Sequence, residues 1–270
     1  MRKLGSIIAF LLAGSSAFAA DLDVKAPLRP PLIQAVNWTG FYIGGNLGGV
    51  VAHASGTSDF TDTGFGGLIA PPTNPQTDSF SQGGFLGGAQ GGFNWQFSPL
   101  WVAGLEVDWD WINTKYSFCR QTDPGSTACA DNGHGFETVG SKTEWLATFR
   151  GRLGVAWENW LFYATGGAAL GRVRTDLSLN CVVNGCGAFS NVTLLASSTS
   201  STTKAGWVAG LGAELLLSPN WSARAEWLHI DLGTITDSLP TVGSSGTQTA
   251  IWSRNESFDE FRLGLSYLFR

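Results

Sequence analysis

The chain has 270 residues, 43% of them hydrophobic and only 14% charged, with a formal net charge of −5. Soluble domains carry about a quarter charged residues, and disorder needs a composition opposite to one with 12 Trp and 17 Phe. The acidic balance excludes a nucleic-acid partner, because phosphate binding requires a basic face. After the first twenty residues no apolar run approaches the length of a membrane helix, so a helical membrane protein is excluded too.

The N-terminus reads as an export signal. Arg2 and Lys3 precede an apolar run from Leu4 to Ala13, and Ala17-Phe18-Ala19 offers small residues where a signal peptidase reads. Cleavage is expected before Ala20, leaving 1–19 as the signal peptide. Residues 20–37, with Pro27, Pro30 and Pro31, read as an extended periplasmic lead-in, and 38–270 as the folded unit.

From Trp38 onward the apolar residues recur with period two, the pattern of strands with two unlike faces. The first such segment covers 38–51. The second, 82–97, carries glycine doublets at 83–84, 87–88 and 91–92. No helical period follows them and Gln82, Gln90 and Asn94 interrupt the run, so neither a dinucleotide loop nor a helix-packing motif is met. The doublets are expected to let bulky neighbours approach the backbone. The third segment, 100–116, places Trp101, Ala103, Leu105, Val107, Trp109 and Trp111 on one face and Glu106, Asp108 and Asp110 on the other. The fourth, 141–158, opposes Trp145, Phe149, Leu153 and Trp157 to Glu144, Arg150 and Arg152.

Segments at 160–177, 202–217, 220–235 and 257–269 complete eight strands. Their polar faces add Lys204, Glu214, Arg224, Glu226, Glu260 and Arg262. Short turns at Ser98-Pro99, Glu158-Asn159 and Ser218-Pro219-Asn220 alternate with long connections at 52–81, 117–140, 178–201 and 236–256. A soluble sandwich has no reason to segregate its connections so strictly, whereas a membrane barrel does. Trp95, Phe97, Trp101, Trp157, Trp160 and Trp221 flank the short turns, and Trp109, Trp111, Trp145, Trp207 and Trp227 lie toward the other ends. At about 2.5 Å of climb per tilted residue, the two aromatic rows stand about 20–25 Å apart, an outer-membrane spacing. The fold class expected is all-β, an eight-stranded antiparallel up-and-down transmembrane barrel with short periplasmic turns and long extracellular loops.

The candidate residues follow from that reading. Glu106, Asp108, Glu144, Arg150, Arg152, Glu214, Arg224, Glu226, Glu260 and Arg262 are expected inside the tube as one paired network, since unpaired charges there are costly. Eight strands enclose just enough room for side chains to fill, and the same residues could alternatively line a thin solute path. Cys119, Cys129, Cys181 and Cys186 allow three pairings. In an oxidising compartment Cys119–Cys129 and Cys181–Cys186 are expected, each within one loop, with pairing between loops the alternative. His53, His134 and His229 form no evident catalytic set, and no serine is placed beside His229 by the sequence. No metal or cofactor site is expected.

Trp38-Thr39-Gly40-Phe41-Tyr42-Ile43-Gly44, the run from Tyr163 to Gly171, and the Leu-Ser-Pro-Asn-Trp-Ser-Ala-Arg-Ala-Glu-Trp-Leu core within Gly206 to Gly233 resemble strands of the alphaproteobacterial outer-membrane immunogenic proteins, small porin-like barrels of the OmpA type. The resemblance implies a bacterial outer-membrane location and insertion by the barrel assembly machinery. Arg262, Gly264, Tyr267 and Phe269 fit the insertion signal such barrels carry, although Arg270 follows where an aromatic end is usual. Outer-membrane lipids and lipopolysaccharide are the expected partners of a monomer. The role expected is structural and at the surface. A narrow porin is the second reading, with ligand or haem capture and a lipid-modifying enzyme behind it.

Overall fold

The computed structural model describes residues 36–62, 76–121, 136–180, 195–243 and 246–270; the signal segment, nearly all of the lead-in, His134, Cys129, Cys181 and Cys186 lie outside them. Eight antiparallel strands run in chain order: β1 (Gly40–Asp62), β2 (Gln76–Gln96), β3 (Trp101–Gln121), β4 (Phe136–Trp157), β5 (Trp160–Asn180), β6 (Leu195–Ser218), β7 (Trp221–Gly243) and β8 (Gly246–Phe269). They form a closed barrel, sealed where β1 pairs with β8 from Phe41↔Phe269 to Asp62↔Gln248. In the turn-end half closure leaves no edge strand and satisfies backbone groups that lipid cannot, whereas β2–β3 pairing ends at Phe85↔Asn113 and β6–β7 pairing at Trp207↔Asp231.

At one end the strands meet in the three short turns that the sequence predicts. Glu158 adopts a left-handed φ of 53° in the two-residue turn after β4, and Ser98 Oγ accepts the Trp101 amide at 3.0 Å in the turn before β3. At the opposite end the strands run much further than the period-two pattern indicates. The predicted limits 51, 116, 177 and 235 become 62, 121, 180 and 243, and β8 begins at Gly246 rather than 257. The stretch 236–256, expected as a loop, is therefore mostly hairpin ladder, paired down to Gly243↔Gly246. The cause is physical. Past the bilayer the outer face meets water and turns to Ser, Thr and Asn, so the apolar–polar contrast that reveals a membrane strand fades.

Strands of 21–24 residues climb roughly 50–60 Å at barrel tilt, about twice the apolar band. The outward apolar residues are confined to the turn-end half. Phe41, Leu47, Phe93, Leu105, Val107, Phe149, Leu153, Phe162, Leu211, Phe261 and Leu265 are exposed there. Both aromatic rows point outward as expected, with Trp109 and Trp145 stacked at 4.3 Å and Trp160 on Phe162 at 5.8 Å. Trp38 and Trp252 are the two exceptions, both buried within the barrel.

Two bulges reset which residues face inward. At Glu144 the β4–β5 register slips between Thr143 and Trp145, so Ser141 and Thr143 point in on the far side from the short turns while Leu146, Thr148 and Arg150 point in on the turn side. At Leu232-Gly233 the β7–β8 register slips in the same way between Asp231 and Thr234. Gly233 has a φ of +69°, a conformation that side-chain-bearing residues resist, and its amide donates to Asp231 Oδ1 at 2.7 Å.

Candidate functional site

The interior is stacked in layers from the turn end upward. Trp38, Val102, Ala156, Leu161, Leu216 and Leu268 close the bottom as an apolar plug. Above it lies the ionic layer. Six carboxylates, Glu106, Asp108, Asp110, Glu214, Glu226 and Glu260, meet four guanidinium groups, Arg150, Arg152, Arg224 and Arg262, all buried.

The pairing joins neighbouring strands and also crosses the lumen. Glu106 on β3 accepts from Arg150, from Arg224, and from the Tyr42 hydroxyl at 2.5 Å. Asp108 accepts from Arg150 at 2.8 Å, Arg262 at 3.2 Å and the Thr148 hydroxyl at 2.7 Å. Arg262 on β8 also reaches Asp110 at 2.6 Å and Glu226 at 2.9 Å. Arg152 donates to Asn94 at 2.8 Å and Glu214 at 3.3 Å, and its cationic carbon sits 4.7 Å and 5.0 Å from the ring centres of Tyr42 and Tyr163. Charge-assisted bonds of this kind, several per guanidinium, are what makes so many buried charges tolerable.

Glycines make room for this layer. The hydroxyl end of Tyr42 lies over Gly92, its partner on β2, where any Cβ would strike it. Tyr163 covers Gly212 on β6 in the same way. A glycine of the 91–92 doublet thus serves close approach, as the sequence indicates.

Above the charges, Val50, Leu86, Ile112, Leu146, Val208, Leu228, Ile230 and Phe258 form an apolar belt across the lumen. Over that belt is a second ionic cluster. Arg254 donates to Glu256 at 2.7 Å, Asp237 at 2.8 Å and Thr175 at 2.6 Å, while Tyr116 and Ser141 donate to Glu256 at 3.0 and 3.2 Å.

Nine of the ten residues predicted for the interior network are in it. Glu144 is not. The bulge turns it outward, where it pairs with Arg172 at 3.1 Å, both side chains partly exposed. A bulge of one residue is invisible to a strict count of twos. Lys204, also assigned inward, is half-buried on the inner face. Arg254, Glu256 and Asp237 were missed because the outward face of 236–256 is mostly polar, with Ile251 an isolated apolar residue on it. The inward alternation Trp252, Arg254, Glu256, Phe258, Glu260, Arg262 is nonetheless visible, every second residue being large or charged. Tyr42 and Tyr163 were missed because a tyrosine in a membrane strand reads as a girdle residue.

Of the C-terminal residues, Arg262 belongs to the ionic layer, while Tyr267 packs at the rim against Trp221 and Phe269 at 5.3 and 5.0 Å. Cys119 lies in β3 opposite Thr138; the expected disulfides otherwise fall outside the described residues. His53 and His229, on β1 and β7, both reach Asp259 of β8, at 3.3 and 3.0 Å, on the outer surface above the apolar band. Ser81 lies 2.8 Å from the other ring nitrogen of His53.

The comparisons agree with the barrel. The 31 kDa outer-membrane immunogenic protein of Brucella melitensis is 32% identical over 275 residues, covering 98% of each chain. The 22 kDa outer membrane protein of Rhizobium leguminosarum is 26% identical over 207 residues, covering 77% of this chain and 68% of that one. Among solved structures, the outer membrane protease OmpT from Escherichia coli aligns at 10% identity and a TM-score of 0.46, over 86% of this chain and 98% of that one, a likeness too distant to carry a functional argument. The model of the outer membrane protein beta-barrel domain matches residues 6–269. The chain belongs to that family of outer-membrane β-barrels.

Proposed function

We propose that this barrel serves a structural and surface role in the outer membrane, with its lumen closed to solutes by its own side chains. The observation that carries the reading is the belt of Leu228, Ile230 and Phe258, each with no solvent exposure, lying between two ionic clusters. Water and ions crossing the lumen would have to open an apolar constriction and break charge pairs on both sides of it. What remains available for contact with the surroundings is the outer half of the barrel, which carries a polar surface well beyond the apolar band.

Liposome swelling tests the reading. Vesicles containing the refolded barrel should swell in small sugars or amino acids no faster than protein-free vesicles. Swelling that depends on solute size would establish the narrow porin instead.

A further inference from the structure

The outer wall just above the aromatic row is electrically lopsided. On β3, β4 and β5 it carries Lys115, Lys142, Arg172 and Arg174 against Glu144 and Asp176. On β7, β8 and β1 the same band carries Asp231 and Asp259, with His53 and His229 beside the latter and no lysine or arginine among the described residues.

Within the basic sector the order is unusual. Lys115 pairs in register with Lys142, and Lys142 in register with Arg174, so three cations stand side by side across three strands. Like charges directly opposite on adjacent strands destabilise a sheet. The two carboxylates nearby, Glu144 and Asp176, offset only part of the row. Glu144 is engaged by Arg172 at 3.1 Å and Asp176 by Arg174 at 3.3 Å, while Lys115 and Lys142 form no ion pair among the described residues. An arrangement that costs stability in the bare protein is explained if an anion completes it.

The row also borders a cleft. Lys115, Lys142 and Arg174, with the carboxylates of Glu144 and Asp176 and with Gly140, line a cavity of about 340 Å³ on this wall. Gly140 forms its open floor, since a Cβ there would meet only Asp176, at an ordinary 3.7 Å. Immediately below, toward the apolar band, are the stacked rings of Trp109 and Trp145, and Arg172 lies opposite Trp145. Two strand spacings make the row about 10 Å wide. Cations at headgroup height, above an apolar wall with a flat aromatic step, match an anionic headgroup whose acyl chains run down that wall.

We propose that the outer wall of β3–β5 above Trp109 and Trp145 is a binding site for a phosphorylated glycolipid of the outer leaflet. Lys115, Lys142 and Arg174 hold the phosphates, and the Gly140 cleft admits the sugar. The proposal rests on the outer-membrane placement and on the long-strand end facing outward, but not on whether the lumen conducts.

Binding of fluorescent lipid A bearing two phosphates to the barrel in neutral phospholipid nanodiscs tests it. The wild-type protein should bind at least tenfold more tightly than it binds dephosphorylated lipid A, and inorganic phosphate at millimolar concentration should not displace the lipid. The triple variant Lys115→Gln, Lys142→Gln, Arg174→Gln should lose tenfold or more, and Gly140→Leu, whose Cβ would meet nothing closer than 3.7 Å, should weaken binding severalfold with the charges intact. Heat-modifiable migration on gels verifies that each variant is folded. Equal affinity in the folded triple variant overturns the proposal. Displacement by inorganic phosphate alone overturns the lipid assignment in favour of a free-anion site. Liposome swelling measures the lumen separately, so a failure here leaves that reading standing.

Discussion

A guanidinium nitrogen of Arg262, on β8, lies 2.6 Å from the carboxylate of Asp110 on β3. These strands are three positions apart around the barrel, so the pair spans the lumen and braces two walls that share no backbone hydrogen bond. Arg262 is also bonded to Asp108 and Glu226. Its removal leaves three buried carboxylates short of their cation. Arg262→Ala should destabilise the barrel by about 3–5 kcal/mol, read as a lower urea midpoint of the protein refolded in lipid vesicles. A shift under about 1 kcal/mol would mean that the layer is hydrated.

Glu260 behaves differently in the same layer. It is fully buried, yet neither carboxylate oxygen has a hydrogen-bond partner, and Arg262 approaches no closer than 3.8 Å. Removing its charge while keeping its shape sacrifices little. Glu260→Gln should be neutral within about 1 kcal/mol or stabilising. Glu106→Gln, which strips the acceptor shared by Arg150, Arg224 and Tyr42, should cost several times more. Parallel urea titrations of the two variants decide it; equal losses would contradict the distinction.

The lipid face offers a test by height. Leu105 points outward in the middle of the apolar band, and Thr203 points outward above the Trp207 row. Leu105→Arg should cost about 2–4 kcal/mol and Thr203→Arg about 0–1 kcal/mol. Similar costs at both positions, measured by reversible folding into bilayers, would show that the band does not end at the aromatic row.

These heights show what could be read from the sequence and what could not. Trp101 to Trp111 alternate against Glu106, Asp108 and Asp110 because that stretch has lipid on one side and a filled lumen on the other. There the pattern finds the strand, its faces and its turn with an error of a residue or two. Between Ser197 and Thr203 the outer face meets water, so Ser and Thr occupy both sides and the strand is silent. Glu144 was misplaced for a different reason. Its face depends on a bulge fixed by the pairing of two other segments, a non-local property that period two does not carry. The cross-lumen partners were likewise legible as a set but not as pairs, because strand order alone does not give the stagger that brings Arg262 to Asp110.

Orientation follows from the turns. Ser98 sits in a short turn and Ser201 on the outer surface of β6 beyond the aromatic row. On intact cells a membrane-impermeant maleimide should label Ser201→Cys above the wild-type background and leave Ser98→Cys at background. The reverse result would place the barrel upside down and would remove the basic wall of β3–β5 from the outer leaflet.

A sealed lumen is the property on which the proposed role depends most, and single-channel recording across planar bilayers addresses it directly. The wild-type barrel should give no stepwise conductance over hours at moderate voltage. A double variant, Leu228→Ala with Phe258→Ala, should admit steps, because it thins the belt where Leu228 and Phe258 are most deeply buried. Regular steps from the wild-type protein, scaling with salt concentration, would contradict the account and establish a conducting pore through the ionic layers.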